Sequence, residues 1–134
     1  MKSQVTWSKE LQFTGVSESG HKIVMDGNQG KIGPSPMELV LMAAGGCSSV
    51  DVVSILEKAR QAVSDCRVEL EGTRADSVPS VYTAIHLHFV VSGKDLSEKH
   101  VARAVDLSME KYCSVSLMLA KACEITHSFE TVAA

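Results

Sequence analysis

The chain has 134 residues, 45% of them hydrophobic and 22% charged, and its thirteen Lys and Arg against sixteen Asp and Glu give a net charge of −3. That length predicts one soluble globular domain, 1–134, burying about two thirds of its unfolded surface. No dense Lys/Arg block occurs, which argues against a nucleic-acid partner, and the polar start "MKSQVTWSKE" lacks a secretory signal, so a cytoplasmic protein is expected.

The first thirty residues alternate apolar and polar, and "VTW", "LQFTGV" and "HKIVMDG" predict short strands with "SESG" turning between the last two. A helix then begins. Ser35 can act as N-cap, Pro36 as first helical residue, and Glu38 completes a capping box. The apolar pattern carries this helix to about residue 62, a length of about 40 Å. Residues 39–44 are apolar on every side, which predicts a central, covered helix. The run could span a bilayer by length, but it holds Glu38, Asp51 and three serines, and a central aspartate alone costs roughly 2.5–3.5 kcal/mol in a membrane.

Within that helix Gly45 and Gly46 stand directly before Cys47. Each glycine weakens a helix interior by roughly 1 kcal/mol relative to alanine, so the pair predicts a close approach by a neighbouring helix or a substrate, or a kink. Further on, "CRVELEG" and "VYTAIHLHFVVSG" predict strands, the second with Ile85, Leu87, Phe89 and Val91 on one face and His86 and His88 on the other. Ser97 caps a helix over 98–111, "SVSLMLAKA" is a short helix, and "EITHSFETV" a closing strand. The order βββ-α-ββ-αα-β predicts an α+β domain without internal repeats.

The four cysteines, Cys47, Cys66, Cys113 and Cys123, form no CxxC pair and have no histidine-rich metal spacing, so neither a metal nor another cofactor is predicted. Cys47 in an apolar helix reads as a small buried hydrophobe. Cys113, in "KYCSVSLML", ends one helix and precedes another whose first N–H groups would favour a thiolate. His86 and His88 read as a solvated strand face, Asp51 carries the wrong charge to activate Cys47, and "GNQGKIGPSP" matches no phosphate-binding spacing.

Taken together, "SPMELVLMAAGGCSSVDVV" followed by "KYCSVSLML" resembles the OsmC/Ohr family of thiol-dependent hydroperoxide reductases, and the order of elements matches that family over essentially the whole chain. The resemblance implies an OsmC-like fold, with antiparallel sheets and a central buried helix, in an intertwined homodimer whose active sites lie at the subunit interface. It implies that Cys47 attacks an organic hydroperoxide and that Cys113 resolves the product to a disulfide, which an external dithiol of lipoyl type reduces. Apolar residues such as Val40, Met42, Val50 and Leu117 would suit a fatty or aromatic hydroperoxide. An antioxidant role in stress response would follow.

Family members activate the first cysteine with an arginine from the N-terminal strands, held by a glutamate ten residues before that cysteine. Here that position is Met37, and the first arginine is Arg60. The earlier cations are Lys2, Lys9, Lys22 and Lys31, and lysine lacks the planar guanidinium fork. Ser114 replaces the proline that usually follows the second cysteine. Cys47 lies too deep in its helix to feel the N-terminal dipole, so Lys9, Lys22 or the hydroxyl of Ser48 is the expected activator. Two functions fit: a reductase of organic hydroperoxides with weak or specialised activity, or a non-enzymatic small-ligand-binding or structural member of the fold.

Overall fold

The computed structural model describes residues 1–134. Its elements are β1 (Ser3–Lys9), β2 (Gln12–Ser17), β3 (Lys22–Asp26), α1 (Pro36–Lys58), β4 (Ala62–Arg74), β5 (Tyr82–Lys94), α2 (Glu98–Leu107), a π-turn (Ser108–Tyr112), α3 (Ser114–Leu119) and β6 (Glu124–Ala133). The α+β order is the one expected. The strands form two sheets, β1-β2-β3 and β4-β5-β6, and the chain divides into two compact units, Met1–Val40 and Leu41–Ala134.

The first unit is an antiparallel meander. Its register sets Trp7 opposite Phe13 and Phe13 opposite Met25, with Val5, Gly15 and Ile23 in the next row, so one face is apolar. On that face Val5 is 59% and Trp7 64% exposed. Asp26 ties down the loop after β3 by accepting from the backbone N–H groups of Asn28 and Ile32. The capping box forms as the sequence predicts. Glu38 N–H donates to Ser35 Oγ and Ser35 N–H donates to Glu38 Oε1, which holds the Glu38 carboxyl below the usual range.

The second unit holds every buried apolar residue of the chain. Ile85, Leu87, Phe89 and Val91 come from alternate positions of β5, Ala44, Val52 and Leu56 from one stripe of α1, and Val101, Ala104 and Val105 from α2. β4 pairs with β5 antiparallel, but β5 and β6 run parallel, which departs from the antiparallel sheets expected. A parallel neighbour needs a long crossover, and α2, the π-turn and α3 supply it.

The helices differ in detail from expectation. α1 ends at Lys58 rather than near residue 62, because Arg60 takes a positive φ of 59° and Gln61 N–H bonds back to Leu56 O. The helix runs through Gly45-Gly46 without a break, and it is covered on one side only: Met42 is 49% and Val50 70% exposed. Its length and hydropathy would suffice to cross a membrane, yet Ala44, Val52 and Leu56 on its other side are fully buried in the core of the second unit. Finally, α2 gives way to the π-turn at Ser108, where Cys113 N–H bonds Ser108 O at 2.7 Å, and α3 stops at Leu119.

Candidate functional site

Two cysteines from different elements meet inside the second unit. Cys47 sits midway along α1, partly exposed, and Cys113 is the N-cap of α3, fully buried. The pair stands near 3.5 Å apart, close enough that Cys47 acts on the Cys113 thiol. That proximity suits formation of a disulfide with little movement.

Cys113 is held in place by its own turn. Its backbone is extended (φ −71°, ψ 100°), and its Sγ accepts from Ser116 N–H at 3.4 Å. The Ser116 hydroxyl lies 3.2 Å from the same sulfur. Burial pushes the Cys113 thiol above its usual range; the two hydrogen bonds with Ser116 oppose the rise and the neighbouring Cys47 adds to it.

A second tie joins the π-turn to α1. Ser108 Oγ donates to Asp51 Oδ2 at 3.0 Å and lies 3.3 Å from Ser48 O. Asp51, one turn past Cys47, therefore receives a bond that anchors the segment carrying Cys113. The Ser48 hydroxyl does not serve Cys47 as the sequence suggested. It donates to Ala44 O at 2.9 Å and Gly45 O at 3.2 Å, because a buried serine in a helix satisfies its proton on the preceding turn.

The two glycines divide their work. A Cβ on Gly45 would lie 2.6 Å from Leu70 Cδ1, so the close neighbour there is a leucine of β4, whereas a Cβ on Gly46 would meet nothing within 4 Å. One helical turn beyond Cys47 begins a groove of about 670 Å³, lined by Val50, Asp51, Ile55, Lys58, Arg103 and Leu107 among others. Its two cations, Lys58 and Arg103, come after Cys47 in the chain and not from the N-terminal strands.

The remaining candidates are accounted for by packing and hydrogen bonds. Cys66 lies in β4 opposite Val91, and Cys123 donates to Leu119 O; burial raises both thiols, with Asp65 adding to the rise at Cys66. His86 bonds Thr126 and Ser128, and His88 bonds Ser128 and Glu130, all on the adjacent β6. Sequence reading passed over Ser108 and Ser116. Only Ser116 left a signal, standing three residues after an N-cap, the position that reaches back in a capping box.

Known proteins match this chain over a span that includes both cysteines. The family model described as OsmC-like protein matches residues 27–128. The chain is 61% identical to protein YhfA of Escherichia coli strain K12 over 134 residues, the full length of both. A hypothetical protein from Aquifex aeolicus VF5, solved by crystallography, superposes with a TM-score of 0.90 at 34% identity, covering 99% of this chain and 96% of that one. The organic hydroperoxide resistance protein OhrB of Bacillus subtilis shares the fold at a TM-score of 0.64 and 15% identity, covering 97% and 98%. On this full-length agreement the chain belongs to the OsmC-like protein family.

Proposed function

We propose that the protein is a cytoplasmic, thiol-dependent reductase of organic hydroperoxides, built as one OsmC-like domain over 1–134 and working as an intertwined homodimer. The meeting of Cys47 and Cys113 carries this reading. The Cys47 thiolate attacks the terminal peroxide oxygen, the O–O bond breaks, and the departing alkoxide takes a proton to leave as the alcohol. The sulfenic acid formed on Cys47 is then attacked by the Cys113 thiolate, with loss of water, and an external dithiol reduces the resulting disulfide. The fold shared with a protein named for organic hydroperoxide resistance supports the substrate class. The apolar part of the groove beyond Cys47, with Val50, Ile55 and Leu107, suits a carbon-rich hydroperoxide. The uncovered apolar residues Val5, Trp7, Met42 and Val50 support a second copy as partner.

A second reading rests on the carboxylate nearest the family's glutamate position. Glu38 is engaged by Ser35, and position 37 is a methionine, so the usual anchor for an activating arginine is absent. A non-enzymatic, ligand-binding or structural member would need no such anchor. One single-turnover experiment separates the two. Wild type mixed with one equivalent of cumene hydroperoxide should lose two thiols per chain and release cumyl alcohol. Cys47→Ser should lose none, and Cys113→Ser should stop at a sulfenic acid that dimedone captures. Thiol loss no faster than in Cys47→Ser would leave the binding reading standing.

A further inference from the structure

Ser116 is 1% exposed, and its hydroxyl has one hydrogen-bond partner, the sulfur of Cys113 at 3.2 Å. A thiol is a weak partner for a buried hydroxyl, and alanine would fill the same place without burying a polar oxygen. The hydroxyl is suited to a sulfur that changes charge. It accepts from the S–H when Cys113 is a thiol and turns to donate when Cys113 is a thiolate, while Ser116 N–H, 3.4 Å from the sulfur, donates in either state. Ala44 O, at 3.9 Å, can only accept, and burial withholds the water that would otherwise solvate the anion.

We infer that Ser116 is a third catalytic residue of the redox site, stabilising Cys113 as a thiolate and so speeding its departure when the Cys47–Cys113 disulfide is reduced. The inference rests on reading the two cysteines as a redox pair. Access points the same way, since Cys47 is partly exposed and Cys113 is fully buried. A thiolate of the external dithiol therefore attacks Cys47 Sγ and forms a mixed disulfide. The Cys47–Cys113 bond breaks, and its electron pair goes to Cys113 Sγ. That sulfur is held by both Ser116 donors until it takes up the proton the dithiol gave up on ionising. The second dithiol sulfur then attacks the first, its proton passing to the departing Cys47 thiolate, and an oxidised dithiol is left. Two electrons pass from the dithiol to the protein. A leaving thiol departs faster the more its thiolate is stabilised.

The test makes the disulfide with diamide instead of a peroxide, in a chain carrying Cys66→Ala and Cys123→Ala, so that it does not depend on peroxidase activity. Brief reaction with 2-mercaptoethanol, acid quench, alkylation and peptide mapping should place the adduct on Cys47 and the alkyl group on Cys113. Ser116→Ala should slow reduction roughly tenfold to a hundredfold, the equivalent of one hydrogen bond to a charged group, and Ser116→Thr should recover most of the rate. In a Cys47→Ser background, the ultraviolet titration of the Cys113 thiolate should move to higher pH on Ser116→Ala. Packing alone would not produce that change. An adduct on Cys113, or a reduction rate and titration both unmoved by Ser116→Ala, overturns the inference while the redox pair stands. Failure of diamide to join Cys47 to Cys113 overturns the pair and the inference together.

Discussion

Gly45 and Leu70 approach so closely that a methyl group on the glycine would lie 2.6 Å from Leu70 Cδ1 and 3.4 Å from Cδ2. Only the flexible end of the leucine is in the way, so Gly45→Ala should fold. Alanine gains about 1 kcal/mol of helix propensity there, and crowding a packed contact costs about 1–3 kcal/mol. A net loss of about 1 kcal/mol in urea unfolding is expected. Leu70→Ala in the same chain should restore part of it, and a double-mutant cycle showing no coupling would contradict the contact.

Gly46, the next residue, predicts something different. It faces open space, flanked on the exposed side of α1 by Met42 and Val50. If a second copy covers this stripe, Val50→Lys should leave the protomer folded by circular dichroism and turn the dimer into a monomer in sedimentation at micromolar concentration. A lysine there that leaves the dimer intact would exclude this face of α1 from the interface.

Ser108 links α1 to the turn that carries Cys113 through its bond to Asp51. Ser108→Ala removes the donor from a partly buried carboxylate and should cost about 1–3 kcal/mol. Asp51→Asn keeps an oxygen acceptor and should cost less. Since Cys113 N–H bonds Ser108 O, loosening the π-turn should also slow diamide closure of the disulfide, which timed alkylation would measure.

These residues mark how far the sequence could be read. The start of α1 was legible because Ser35, Pro36 and Glu38 form a local signal that needs no tertiary partner. The faces of β5 were legible because alternation of Ile85, Leu87, Phe89 and Val91 is a property of the strand itself. The end of α1 was not, because Arg60 adopts a left-handed conformation that no glycine announces. The π-turn was hidden as well, since Ser108–Tyr112 keeps a helical pattern while one bond shifts to five residues back. The parallel β5–β6 pairing depends on where the crossover lands, which strand periodicity does not encode. For the site, Cys47 and Cys113 came from motif resemblance, whereas the Ser108 hydroxyl bonds Asp51, 57 residues away.

Burial raises the Cys113 thiol above its usual range, and Cys66 and Cys123 move the same way. A thiol raised in the folded state keeps its proton where the unfolded chain, titrating at about 8.5, has already lost it. Between those two values the folded state binds more protons than the unfolded state, so stability falls as pH rises. Below the unfolded value both states are protonated and the contribution is complete. For a fully separated thiol the slope is about 1.4 kcal/mol per pH unit. Under reducing conditions the urea midpoint should therefore lose nothing to the thiols at neutral pH and decline through the alkaline range. Cys113→Ser, which cannot ionise there, should flatten part of the decline. The same proton governs chemistry: Cys113 must ionise to attack the sulfenic acid on Cys47, so the rate of disulfide closure should keep climbing with pH beyond the point where an exposed thiol would level off. A closure rate that reaches its plateau at or below the ordinary thiol range would mean that Cys113 is not the buried, proton-holding thiol its surroundings make it.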